Sequence, residues 1–267
     1  MAAIDRLAWA MDRSGRLKNF GDDINPWLFK QISGRKPGYV QPEECYGAYM
    51  MAGSILEYAK QGTMVWGTGI YNSKFRVDPR AQYFACRGPL SREIILKCGG
   101  KCPDIYGDPV MTLPLFYDKP QEQKYDLGIV PHYIDQQRFN VNWPDNIKMI
   151  DITNMDSFID DVRSCKKILS SSLHGIITAD AYGIPAKWCK FSNAVAGDGI
   201  KFHDHFLSVG VEPYEPLDLR THFKVCEVMD MIEPYDLKFD VNRLMDACPI
   251  VKDLKEYPFV EEVTFDL

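Results

Sequence analysis

Short apolar runs alternate along most of this chain with longer segments of mixed polarity. The runs at 63–66, 127–130 and 167–170 show no in-out alternation, as expected of strands covered on both faces. The segments between them carry helical spacing and stop at Gly or Pro. Read in order, the pattern predicts a helix at 23–32, a strand at 49–53 and a helix at 54–60 capped by Ser54. Strands follow at 63–66 and 83–86, then a helix at 91–97 ended by Gly99-Gly100. The second half predicts strands at 127–130 and 149–152, a helix at 155–164 and a strand at 167–170. A helix at 176–182 is then stopped by Gly183-Ile184-Pro185. Beyond Phe206 the periodicity fades, Glu233-Pro234 breaks it, and 237–247 reads as a terminal helix. Alternation of this kind describes an α/β protein with parallel sheets.

A polar stretch at 117–124, with Pro120 inside it, divides the chain. The expected organisation is a Rossmann-like domain at 1–120, a second at 121–235, and a C-terminal helix and tail at 236–267, with the two domains facing a cleft. Ligands of open α/β sheets sit beyond the carboxyl ends of the strands. Five polar loops follow or abut predicted strands: 19–22, 67–69, 87–92, the one at His132, and 170–175. Together they point to one shared site.

The last of these loops, Ser170-Ser171-Ser172-Leu173-His174-Gly175, lies at a strand-to-helix junction. There the unpaired N–H groups and the positive end of the helix dipole favour phosphate or carboxylate, and a histidine one turn in can move protons near neutral pH. A serine run at a helix start is also an ordinary N-cap, so the rest of the chain has to decide.

Composition narrows the field. With 267 residues, 46% hydrophobic and 25% charged, the chain reads as an ordinary globular protein. A net charge of −6 argues against general nucleic-acid binding. No apolar stretch approaches the ~20 residues that span a bilayer, and the first residues lack the apolar core of a signal peptide. The expected compartment is the cytoplasm. Of eight cysteines only Cys98 and Cys102 are close in sequence, and no second pair completes a zinc site.

Several blocks, in order, resemble the polysaccharide pyruvyl transferase family. They are Asn19-Phe20-Gly21-Asp22, Val65-Trp66-Gly67-Thr68-Gly69, Arg87-Gly88-Pro89, Tyr106-Gly107-Asp108-Pro109 and Ile129-Val130-Pro131-His132-Tyr133. Ser170–Gly175 followed by Ala181-Tyr182-Gly183-Ile184-Pro185, and Lys201-Phe202-His203-Asp204 before Ser208-Val209-Gly210, complete the set. Length and block spacing are most similar to the short bacterial ketal-pyruvyl transferases of exopolysaccharide assembly. The resemblance implies a fold of the glycosyltransferase-B type, with the acceptor on the first domain and the donor on the second. It implies phosphoenolpyruvate as donor and neither metal nor cofactor. It also implies a pyruvate ketal on a sugar of a lipid-linked repeat unit, with peripheral contact at the inner face of the cytoplasmic membrane.

Phosphoenolpyruvate carries a phosphate and a carboxylate, so cations and backbone donors are needed for both. Ketal formation moves protons at more than one step, so it needs an acid and a base. His174 is the first candidate for proton transfer or phosphate binding, as the family's histidine at this place serves the donor site. Ser171, Ser172, Leu173 and Gly175 at the helix start, with Asn19, Arg87 and Arg92, are candidate substrate contacts. The family's matching arginine places Arg87 on the donor, whereas Arg92 reads equally as a solvated helix face. Asp22 or Asp23 is the candidate base, with an N-cap role for Asp22 as the competing reading. His132 reads as a second proton carrier or as a hydrogen-bonded structural histidine. Lys201 and His203, after Gly197-Asp198-Gly199, are placed to close over the donor or meet acceptor hydroxyls, and Asp108 reads as a turn residue.

One position departs from relatives that carry an arginine directly before the Leu-His pair. Here it is Ser172, so the donor's cation has to come from Arg87, Arg92 or Lys201. A nucleotide-sugar glycosyltransferase on the same fold and a non-catalytic sugar-binding assembly protein are the alternative functions.

Overall fold

The computed structural model describes residues 5–11, 19–136, 143–221 and 223–250. The end of the expected C-terminal tail, 251–267, lies outside them.

Two five-stranded sheets form the frame, and every strand pairing in them is parallel. The first contains β1 (Arg6–Ala8), β2 (Gly38–Val40), β3 (Tyr49–Met50), β4 (Met64–Trp66) and β5 (Gln82–Ala85), in the order β2-β1-β3-β4-β5. Helix α1 (Phe20–Ser33) lies between β1 and β2 in the chain, and α2 (Pro89–Lys97) follows β5. The second sheet contains β6 (Leu127–Val130), β7 (Ile147–Met149), β8 (Ile168–Ser170), β9 (Ala186–Lys190) and β10 (Leu217–Asp218), in the order β10-β9-β8-β6-β7. Its helices are α3 (Phe158–Arg163), α4 (Leu173–Ala181) and α5 (Ile200–Ser208), with α6 (Val225–Asp230) and α7 (Val241–Asp246) after β10.

Both sheets therefore share one order. The first strand of each half sits between the second and the third, and the chain reverses its direction of travel there. Such switch points are where open α/β sheets leave a crevice. In the first half the switch lies between β1 and β3, in the second between β6 and β8.

The two halves share a hydrophobic core. One continuous cluster runs from Leu7, Phe20 and Trp66 to Val130, Phe158, Leu173, Phe206 and Leu244. The Phe20 and Phe158 rings lie 4.3 Å apart, and Phe20 N–H donates to Ile152 O at 2.9 Å. Helix α7 returns to the first half, where Trp66 Nε1–H donates to Leu244 O at 2.9 Å. A buried ion pair joins Arg87, just past β5, to Asp204 on α5. Among the described residues no helix is long and apolar enough to cross a membrane.

The helix expected at 54–60 shrinks to one 3₁₀ turn, Leu56–Tyr58, because Ala59 takes an extended ψ of 132°. Ser54 caps nothing there and its Oγ accepts from Arg87. Strand β7 begins two residues before the expected 149–152. Strands β1, β2, β9 and β10 were not expected. β1, β2 and β10 span only two or three residues each, and the five-residue β9 places Lys187 and Lys190 in a run otherwise apolar.

Candidate active site

The turn from β8 into α4 is built by its own serines. Ser170 Oγ accepts from Ser172 N–H at 3.0 Å and lies 2.8 Å from Ser172 O and 3.0 Å from Val130 O. Ser171 Oγ accepts from His132 N–H at 2.9 Å, joining the loops that leave β6 and β8. These are the two sides of the second sheet's switch point. Gly175 is needed because an added Cβ would stand 2.3 Å from Ser170 Oγ. Ser172 is the N-cap residue of α4 with extended backbone, yet its side chain makes no capping bond. The first-turn N–H groups, which have no intrahelical partner, are thus left uncapped at the positive end of the helix. Leu173 turns away into the core.

His174, in that first turn, is only 4% exposed. It reaches from the second half into contact with two residues of the first. On one side is Gly21 of α1, where an added Cβ would stand 1.9 Å from Nδ1. On the other, Nε2 lies 3.6 Å from Asp108 Oδ2. Asp108 is fully buried, and its Oδ1 accepts from Val110 N–H at 3.0 Å, capping a 3₁₀ stretch at Pro109–Leu115. Neither His174 Nε2 nor Asp108 Oδ2 has a hydrogen-bond partner among the described residues.

Asp22 projects from the first turn of α1 beside Gly53, at the first sheet's switch point. Burial pushes its carboxyl above the ordinary carboxylate range. His174, a 2.8 Å bond from Asn19 Nδ2 and Lys201 oppose the shift, while Asp108 adds to it. Asp23 is buried at the same helix end, with Oδ2 accepting from Asn19 N–H at 3.4 Å.

Lys201 lies in the first turn of α5, buried, with no hydrogen bond or ion pair among the described residues, its Nζ 5.5 Å from the Phe202 ring centroid. Burial and the nearby Arg87 charge lower its ammonium to about 8, and Asp22 pulls the other way. His132 is lowered to about 4, by burial first and then by Lys201 and His174, so its ring is neutral at pH 7. Asp22, Asp108, His132, His174 and Lys201 therefore form one electrostatic group where the two switch points meet.

The remaining expected residues are committed to other contacts. Arg87 is fully buried: Nε donates to Asp204 Oδ2 at 3.2 Å, Nη1 to Ser54 Oγ at 2.7 Å and Nη2 to Ile70 O at 2.6 Å. Arg92 Nε donates to Cys102 O at 3.0 Å. His203 sets its ring edge-on to Trp188, centroids 5.6 Å apart, with Nε2 buried and unpartnered among the described residues. Asp108 is the member of the group that the turn-residue reading had passed over. Its signal was the Tyr106-Gly107-Asp108-Pro109 block.

Residues 41–189 match the sequence profile of the polysaccharide pyruvyl transferase family. The chain belongs to this family. A relative 33% identical over 209 residues, covering 73% of this chain and 72% of its own length, is the uncharacterized protein L143 of Acanthamoeba polyphaga mimivirus. The succinoglycan biosynthesis protein ExoV of Rhizobium meliloti is 25% identical over 215 residues, 74% of this chain and 63% of ExoV. A functionally uncharacterized Klebsiella pneumoniae protein of known structure aligns at 12% identity with a TM-score of 0.41, over 76% of this chain and 87% of its own, too weak a likeness to build on. The span matched to the pyruvyl transferase family contains Asp108, His132 and His174, whereas Asp22 and Lys201 come from segments on either side of it.

Proposed function

We propose that the chain is a ketal-pyruvyl transferase, moving the pyruvyl group of phosphoenolpyruvate onto two hydroxyls of a sugar in an exopolysaccharide or capsular repeat unit. Family membership supports the reaction class. The observation that carries the donor assignment is a buried Lys201 with no hydrogen bond or ion pair among the described residues, near Asp22 and His132, together with His174 at the uncapped N-terminus of α4. A cation and a set of convergent N–H groups suit a ligand with a phosphate and a carboxylate.

This reading also answers which cation serves where Ser172 replaces an arginine. Arg87 is committed to Asp204, Ser54 and the Ile70 carbonyl, and Arg92 to the Cys102 carbonyl. Lys201 is the cation left for the donor. His174 and Asp22 then carry the proton that must reach the donor's methylene carbon, with Asp108 holding the imidazole from behind. Neutral His132 orients donor oxygens through its ring. Such a site sits in the cleft between two Rossmann-like units of a glycosyltransferase-B arrangement, in a cytoplasmic enzyme that meets a lipid-linked acceptor at the inner membrane face.

Titration calorimetry of the purified chain against phosphoenolpyruvate and against nucleotide sugars tests the donor. Phosphoenolpyruvate is expected to bind, and Lys201→Met to weaken it at least tenfold. Binding of a nucleotide sugar with none of phosphoenolpyruvate would overturn the assignment in favour of a glycosyltransferase.

A further inference from the structure

His205 is fully buried on α5, one helical turn beyond Lys201 and on the same face. Its Nε2 lies 2.7 Å from Asp180 Oδ2 on α4, and its Nδ1 has no hydrogen-bond partner among the described residues. Asp180 is buried too, and its other oxygen is held by Tyr235, whose Oη–H donates to Oδ1 at 2.5 Å. Burial, and then the Asp180 charge, keep the Tyr235 phenol well above its ordinary value, so it stays a donor at neutral pH. None of the three side chains takes part in the chemistry above.

Two consecutive side chains thus fasten α5 in two directions. Asp204 faces the first half, where it accepts from Arg87 Nε at 3.2 Å, Ser91 N–H at 2.9 Å and Ser91 Oγ–H at 2.6 Å. His205 faces the second half, through Asp180 on the helix that carries His174. The segment that carries Tyr235 also closes on the end of α5. There Lys238 N–H donates to Val209 O at 2.8 Å, and a Cβ on Gly210 would stand 2.8 Å from Lys238 Cβ.

Lys201 gives this fastening its consequence. It is 9% exposed and makes no hydrogen bond or ion pair among the described residues. A lysine has a flexible stem and a strongly hydrated head, and left to itself it turns that head out to water. Keeping an ammonium buried costs free energy. The first turn of α5 therefore stays in place only if the rest of the helix is anchored. Resting on the pyruvyl-transfer reading, we propose that Asp180 and His205, steadied by Tyr235, are positioning residues for the donor cation: they lock α5 onto α4 and so fix Lys201 relative to His174. Asp204 supplies the matching tie to the first half.

The test reads Lys201 directly. Its ammonium titrates near 8, lowered by burial and by Arg87 and opposed by Asp22, and it acts in turn on His132. In protein labelled with ¹³C at lysine Cε, the Lys201 resonance is the one missing from Lys201→Arg, and its shift against pH gives the midpoint. His205→Leu should let water reach the ammonium and move that midpoint upward by about one pH unit or more. His205→Gln, whose amide can still donate to Asp180, should stay close to wild type. Where His205→Leu does not fold, Tyr235→Phe removes a single oxygen and should move the midpoint the same way by less. Calorimetry at pH 7 should show phosphoenolpyruvate bound ~10-fold or more weakly by His205→Leu, with His205→Gln recovering most of the loss. Variants that melt earlier while Lys201 keeps its wild-type midpoint would overturn the proposal and leave the network a stabilising one. The titration needs no donor, so it stands or falls whether or not phosphoenolpyruvate binds.

Discussion

His174 Nε2 stands 3.6 Å from Asp108 Oδ2, and neither atom has a hydrogen-bond partner among the described residues. At that separation the pair is poised rather than bonded, and a small shift of the ring on donor binding would close it. The two residues come from opposite halves of the chain. Asp108→Asn keeps the oxygen that accepts from Val110 N–H but removes the charge behind the imidazole. Its expected effect is a loss of roughly 10²-fold or more in kcat with Tm nearly unchanged. Asp108→Ala should lose stability as well, by about 1 kcal/mol for the missing cap. Steady-state kinetics and thermal melts of the two variants check this.

Gly21→Ala is expected to act on His174 from the other side. The new methyl would occupy the space of the ring, 1.9 Å from Nδ1. Overpacking of this kind costs about 1–3 kcal/mol, and a displaced ring should remove most activity while the fold survives. Tm and kcat of the single variant measure both.

Lys201 is expected to set the alkaline limit of activity. Its ammonium titrates near 8, so the cation is present below that pH and lost above it. The kcat/KM for phosphoenolpyruvate reports groups of the free enzyme and should fall with an apparent pKa of about 8. Lys201→Arg should carry that limb out of the measurable range, since an arginine stays charged. Arg87 contributes to the depression, so its removal should move the limb upward.

Arg87 itself is expected to matter mainly for stability. Breaking a buried pair leaves an uncompensated charge on Asp204, at a cost of about 3–5 kcal/mol. Urea unfolding of Arg87→Met should show a loss of that size, and Arg87→Met combined with Asp204→Leu a smaller one.

These roles show what the sequence could and could not display. Apolar runs such as Leu127–Val130 announce buried strands by themselves, and the Ser170–Gly175 turn announces a strand-to-helix junction, because both are local. The Arg87–Asp204 pair joins positions 117 residues apart. Nothing in Arg87-Gly88-Pro89 reveals that its guanidinium is already occupied. Lys201 was visible as a candidate, but that it makes no hydrogen bond or ion pair among the described residues depends on how α5 is buried. Asp108 looked like a turn residue and is one. Its free oxygen faces His174 only because the chain folds the two halves together. The helix expected from Ser54 failed for the same reason: Ser54 Oγ serves Arg87.

His132 ties the site to acid stability. Held near 4 in the folded chain against an ordinary 6.5, it binds fewer protons folded than unfolded. Its contribution is therefore full above pH 6.5 and lost as pH falls toward 4. The size is at most about 3.5 kcal/mol at ~1.4 kcal/mol per pH unit, and less for a ring partly open to solvent. His132→Gln should flatten the fall in urea-unfolding free energy between pH 6.5 and 4.

The most direct measurement follows ¹³C-labelled phosphoenolpyruvate by NMR, with the purified chain and a panel of p-nitrophenyl hexosides. Expected is a ketal methyl signal on one hexoside, inorganic phosphate released in equal amount, and loss of both in His174→Ala. Release of nucleoside diphosphate from a nucleotide sugar, with the phosphoenolpyruvate signals unchanged, would contradict the pyruvyl-transfer function.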